Sequence, residues 1–163
     1  MTQRIDSEMA EAFTHMSGKS ALNELYAQRA KRGKRILLSK LLEAVSRSEH
    51  IHARRALMYI RGKMGDLDEY LSHLVHSKHI DTAQRYPQLS ERLYEAGQKK
   101  AAEAFEQLSR VAAVHGKLLK AAIEDTPVGT MEYYVCDVCG YIAPEQPPDN
   151  CPVCNAVKEK FKP

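Results

Sequence analysis

The stretch Tyr133-Tyr134-Val135-Cys136-Asp137-Val138-Cys139-Gly140-Tyr141, followed by Pro147-Pro148-Asp149-Asn150-Cys151-Pro152-Val153-Cys154, carries the clearest structural instruction in the chain. Two Cys-x-x-Cys turns stand eleven residues apart. Each turn puts two thiolates on one side of a tight loop, with the following backbone amides aimed at the sulfurs. Two such knuckles close a tetrahedral set of four sulfurs, which suits zinc or iron. Reduced thiols in this pattern are metal ligands rather than unrelated cysteines. Tyr133, Tyr134, Tyr141 and Phe161 would cover the site, and a dry apolar shell tunes an electron-transfer centre. That favours iron, with zinc as the alternative.

Outward from the cysteines, composition changes. Residues 131–163 set Lys158, Lys160 and Lys162 against Glu132, Asp137, Glu145, Asp149 and Glu159, a net charge of −2. Four of the seven prolines lie at 144–152. The rest of the chain carries +5 within a total of +3. Two modules are therefore expected, 1–126 and 131–163, joined near Thr126-Pro127-Val128-Gly129. With 163 residues, 44% of them hydrophobic, a real core is expected. No apolar stretch approaches the roughly 20 residues of a membrane span. The charged start MTQRIDSEMAEAF has no apolar region typical of a secretory signal. The net charge is too mild to imply nucleic acid. A cytoplasmic globular protein with no membrane or nucleic-acid partner is expected.

The first module reads as helices. Only Pro87 interrupts residues 5–123, and apolar residues recur at steps of three and four. Leu38, Leu41, Leu42 and Val45 continue into Glu49, His52 and Ala56. Leu67, Leu71 and Leu74 form a second stripe. Ala102, Phe105, Leu108, Ala112, His115, Leu118 and Leu119 form a third. Breaks at Arg32-Gly33-Lys34, Gly62 to Gly65 and Ala96-Gly97 predict helices over 5–31, 36–62, 66–96 and 99–123. Pro87 predicts a kink or break inside the third. Four helices with short loops predict a mainly α protein built on an antiparallel bundle, the alternative being a long crossover between the second and third helices.

The cysteine-rich segment closely resembles the rubredoxin-type domain, and a helical bundle followed by such a tail resembles rubrerythrin. Glu49-His50-Ile51-His52-Ala53 is similar to the family's Glu-x-x-His-Ala segment, and Tyr86-Pro87 to its Tyr-Pro pair. Gly97, Ala102, Phe105 and His115 then fall in register, and Tyr26 and Ala30 align with the first helix. The resemblance implies a ferritin-like four-helix bundle with a small C-terminal rubredoxin-like domain. It implies a di-iron carboxylate centre in the bundle that reduces hydrogen peroxide, with one-electron transfer through a four-cysteine iron. It also implies a homodimer, assembled head-to-tail.

The bundle ligands depart from that pattern. Glu49 and His52 form a complete Glu-x-x-His pair, on one helix face one turn apart. His115 is present, but its expected partner is Ala112. Asp81 stands at one carboxylate position, while Lys78 and Lys19 stand at two others (Met16 instead of Lys19 if the alignment is left ungapped). Two Glu-to-Lys changes and one Glu-to-Ala change alter the pocket charge by +5, against +4 for two ferrous ions. The expectation is therefore a degenerate bundle site in which Lys19 and Lys78 replace the metal and hold Glu49 and Asp81 in salt bridges. The competing expectations are solvated lysines, interior histidines satisfied without metal, or one metal retained by Glu49, His52, Asp81 and His115. A peroxidase drawing on other carboxylates such as Glu8 or Glu24, and a zinc-holding interaction scaffold, are the alternative functions. His73, His76 and His79 read as a partly exposed helix face, and Arg29 to Arg35 as a solvated basic turn.

Overall fold

The computed structural model describes residues 2–61, 66–124 and 132–163. The expected linker at Thr126 to Gly129 and the break from Gly62 to Gly65 lie outside them. The protein is mainly α, with helices α1 (Thr2–Arg32), α2 (Ile36–Arg61), α3 (Leu67–Ile80), α4 (Tyr86–Glu95) and α5 (Lys99–Ile123), followed by strands β1 (Tyr133–Cys136), β2 (Ile142–Pro144) and β3 (Phe161–Lys162). The chain divides into two compact units, Met1–Gly65 and Asp66–Pro163. The second unit holds both α3–α5 and the cysteine-rich domain.

The first unit is the α1–α2 hairpin. Its turn places Lys34 at φ 57°, and Arg35 N–H donates to Ala30 O over 2.9 Å. The buried seam between the helices is made of small residues: Ala27, Ala30, Ser39, Ser46, Ala53 and Ala56. Small side chains let two helix backbones approach closely, and each serine hydroxyl then finds a carbonyl across the seam. Ser39 Oγ donates to Ala27 O at 2.9 Å, and Ser46 Oγ to Ser20 O at 2.9 Å. Of the stripe expected to form this core, Ala56 is buried, Leu38, Leu42, Val45 and Glu49 are half-buried, and Leu41 and His52 are exposed. Leu41 is 61% exposed, and other large side chains of the hairpin, such as Leu25, Leu37 and Tyr59, are more exposed still.

The second unit repeats the device. Ser90 Oγ donates to Ala102 O at 3.1 Å across the α4–α5 turn, and Ser109 Oγ to Thr82 O at 3.1 Å. Ala102 is fully buried, and Tyr86 packs on Phe105. The turn closes with Gly97 at φ 75° and a bond from Gln98 N–H to Leu93 O, the Schellman pattern. At the other end of the unit Asp66 caps α3, accepting from the N–H groups of Asp68 and Glu69.

Pro87 acts as expected, with its effect shifted upstream. Residues Asp81–Arg85 wind as a π-helical turn, and Tyr86 N–H reaches back to Asp81 O. The wider turn relieves the ring's clash with the preceding carbonyls, and Pro87 then occupies the first turn of α4, where no N–H is needed. The helix predicted over 66–96 is thus α3, a π turn and α4.

The C-terminal domain is a three-stranded antiparallel sheet in the order β2-β1-β3. Its core is Cys136, Ala143, Cys151 and Phe161, with Tyr134, Tyr141, Val153 and Ala156 packed around it. Among the described residues no helix is long and apolar enough to cross a membrane.

Candidate metal centre

The two cysteine knuckles have the same backbone. In the first, Gly140 N–H donates to Cys136 O and Cys136 N–H to Tyr141 O; in the second, Asn155 N–H donates to Cys151 O and Cys151 N–H to Ala156 O. The residue after the second cysteine must be left-handed to close such a loop. Gly140 does so at φ 78° and Asn155 at φ 59°, the two residue types that tolerate it best.

These loops bring the four cysteine sulfurs within 4.8 Å of one another. The Cys136 and Cys154 sulfurs are 3.7 Å apart, and those of Cys139 and Cys151 are 3.5 Å apart. Four sulfurs at about 2.3 Å from a tetrahedral ion would be about 3.8 Å from each other, so the set fits zinc or iron. Among the described residues no other group of three or more His, Cys, Asp or Glu side chains is gathered in this way. Backbone N–H groups point at the sulfurs: Tyr141 at Cys139, Val153 and Cys154 at Cys151, and Ala156 at Cys154. Such donors stabilise thiolate charge whether or not a metal shares it. Tyr141 and Phe161 meet edge to face with centroids 6.3 Å apart. Tyr133, expected in the aromatic cover, is instead 41% exposed; alternation along β1 turns it away from Tyr134.

Burial pushes the Cys139 thiol well above the usual thiol range, and burial likewise raises Cys154. For Cys151 burial acts in the same direction, but the N–H groups of Cys154 and Val153 together with the Cys139 and Cys154 thiols outweigh it, and the net shift is downward. Without metal, Cys139 and Cys154 therefore keep their protons at neutral pH, and a metal must displace them. Zinc titrated into metal-free protein in weak buffer is expected to release more than one proton per chain, with affinity falling as pH is lowered. Zinc uptake without proton release would mean that these thiols are not the ligands.

Two side chains of α5 hold the knuckles from outside. His115 Nε2 lies 3.0 Å from Gly140 O, and Arg110 Nη2 donates to Val153 O at 3.1 Å. A carbonyl only accepts, so the His115 nitrogen carries the proton. Burial lowers the pKa of His115 more than the Gly140 carbonyl raises it, and the Lys78 ammonium adds a smaller downward push. The imidazole is thus neutral at neutral pH.

The other residues singled out in the sequence fall in both units. In the first, Glu49 is half-buried on α2, while His52 and Lys19 are exposed. Among the described residues no ion pair joins Lys19 to Glu49. In the second, Asp81 is buried, with Arg85 Nη1 on its carboxylate at 2.8 Å. The expected Lys78–Asp81 bridge is thus replaced by one to Arg85, which the π turn brings alongside on the same segment. Lys78 is half-buried and faces α5, its Cβ 3.6 Å from where a side chain at Gly116 would begin. Ala112 is buried at 3% exposure. Reasoning from sequence missed Arg85, Arg110 and the Gly140 contact of His115. The i,i+4 spacing of Asp81 and Arg85 was a readable signal; the two α5 contacts had none.

Residues 134–162 match the family described as "Rubrerythrin, rubredoxin-like domain". The chain is 24% identical to Rubrerythrin-2 of Clostridium acetobutylicum, with 77% of each chain covered. It is 28% identical to nigerythrin of Nitratidesulfovibrio vulgaris over 50% of this chain and 41% of that protein. Solved structures of nigerythrin in mixed-valent and fully reduced states superpose with a TM-score of 0.55 at 22% identity, covering 97% of this chain and 85% of theirs. That likeness gives the fold, a mainly helical region followed by a four-cysteine C-terminal domain. Residues 134–162 are thus a rubredoxin-like domain of the rubrerythrin kind, and the chain as a whole is similar to rubrerythrins in sequence and to nigerythrin in fold.

Proposed function

We propose that this protein is a one-electron carrier of the rubrerythrin type, with iron held by Cys136, Cys139, Cys151 and Cys154, and with the peroxide-reducing carboxylate centre partly or wholly lost. Iron in four thiolates exchanges one electron between ferric and ferrous states without making or breaking a bond. The chain's own groups do the rest. Tyr141 and Phe161 pack about the buried Cys136 and Cys151, and the N–H groups of Tyr141, Val153, Cys154 and Ala156 share the negative charge.

The observation that carries the second half of the reading is how the residues around α5 satisfy one another. Asp81 already has Arg85 as its cation, and His115 already donates to Gly140 O. Ala112 is buried and offers no donor, and the Lys78 ammonium would oppose a further cation beside His115. These groups need no metal to be buried at low cost.

Metal analysis of the purified chain tests this. About one iron per chain, red from sulfur-to-iron charge transfer, with peroxide turnover at background, is the expected result. Iron near three per chain with reductant-coupled peroxide consumption would establish the peroxidase instead, and a colourless protein with zinc would establish the scaffold. The reading includes a homodimer, so the iron-bearing fraction is expected to migrate at twice the chain mass.

A further inference from the structure

Each α5 contact ends on a peptide whose other side faces a sulfur. Gly140 C=O and Tyr141 N–H belong to one peptide group. Its carbonyl accepts from His115 and its N–H donates to Cys139 Sγ. Val153 C=O and Cys154 N–H likewise belong to one peptide group. Its carbonyl accepts from Arg110 and its N–H donates to Cys151 Sγ. The two relays start five residues apart on α5 and end on one sulfur from each knuckle. Those two sulfurs are the pair 3.5 Å apart.

We propose that His115 and Arg110 are positioning residues that raise the reduction potential of the four-cysteine centre by polarising these two peptides. A donor on a carbonyl draws electron density through the amide and strengthens the N–H on its far side. A stronger N–H···S bond takes more charge from the thiolate. An iron(III) tetrathiolate carries a net charge of −1 and its reduced form −2, so every such bond favours the reduced form more. Arg110 adds a positive charge to the same effect, while His115 acts as a neutral donor. The inference deepens the one-electron reading and rests on it. It assigns α5 a direct electronic role at the metal centre, beyond packing.

The test is the midpoint potential of the full-length, iron-loaded protein, titrated with soluble one-electron mediators. Arg110→Met and His115→Phe keep bulk and remove the donor. Each is expected to move the potential to a more negative value. At the parent's midpoint, the ferric-to-ferrous ratio should rise roughly 1.2- to 1.7-fold for each, the 10–30% that a polarising partner adds to a hydrogen bond of about 1 kcal/mol. The combined variant should show about the product of the two changes, since the relays end on different sulfurs. Arg110→Lys and His115→Gln restore a donor and should recover part of the shift, which a purely structural role would not predict. Potentials equal to the parent's in both donor-free variants would overturn the proposal.

A parent chain that takes up zinc and refuses iron sinks the electron-transfer reading, and the relay is then read separately. In the zinc form, the amide proton resonances of Tyr141 and Cys154 should move upfield in the donor-free variants. Resonances that stay in place would overturn the relay itself.

Discussion

Replacing Cys136 with serine is expected to lower metal affinity by on the order of a thousandfold or more and to unfold the C-terminal domain while leaving the helices formed. Cys136 is 1% exposed and is the largest fully buried side chain among the described residues. Its N–H closes the first knuckle on Tyr141 O at 2.9 Å, and it pairs with Phe161 across β1 and β3. A serine oxygen is a harder and shorter donor than a thiolate, so it leaves the tetrahedron one ligand short. The domain has little else to fold on. Its core of buried residues is Cys136, Ala143, Cys151 and Phe161, two of them ligands, and a unit of this size rarely folds without a metal or disulfide. Metal affinity, measured by competition with a chromogenic chelator, should collapse, while far-ultraviolet circular dichroism should keep its helical amplitude. An unchanged affinity would refute the four-sulfur site.

Replacing Ala112 with glutamate is the second large effect. Ala112 lies on the buried face of α5, three residues before His115. A carboxylate introduced there loses its hydration, and its natural counter-charge on the facing helix is Lys78. Lys78 already depresses His115 and sits against Gly116, so it cannot fully turn to the newcomer without leaving that contact. The single variant is expected to lose about 3 kcal/mol, a fall in melting temperature of roughly 6 to 12 °C. Adding Lys78→Glu should make the metal-free protein worse still, because two carboxylates then face the buried Asp81. The same pair, with Asp81 and His115, supplies three carboxylates and one imidazole, so ferrous iron should restore part of the lost stability. A double variant that melts at the same temperature with and without iron would show that these positions do not share a metal-sized space.

What reading the chain achieved depended on how local the signal was. The cysteine knuckles were legible because a Cys-x-x-Cys turn is closed by its own backbone bonds and a left-handed Gly140 or Asn155 within six residues. Pro87 announced a defect in its helix, since a missing N–H has the same consequence in any fold. The helix seams were less visible. Hydropathy pointed to Leu38, Leu41 and Val45 as well as to Ala56, whereas the buried seam of α1 and α2 also takes in Ser39, Ser46 and Ala53. Alanine and serine give little hydropathic contrast, and their role as close-contact residues exists only once a second helix lies against them.

The sequence alone determined the grouping of four cysteines into two knuckles, the helical character of the segments ahead of them and the break ahead of Tyr86. Only the tertiary structure decided which partner each charged group takes. Asp81 went to Arg85 rather than Lys78, and His115 and Arg110 went to Gly140 and Val153. The reason is geometric: ligand spacing within one loop is fixed by covalent connectivity, while a pairing between α5 and the knuckles depends on orientations that no local pattern encodes.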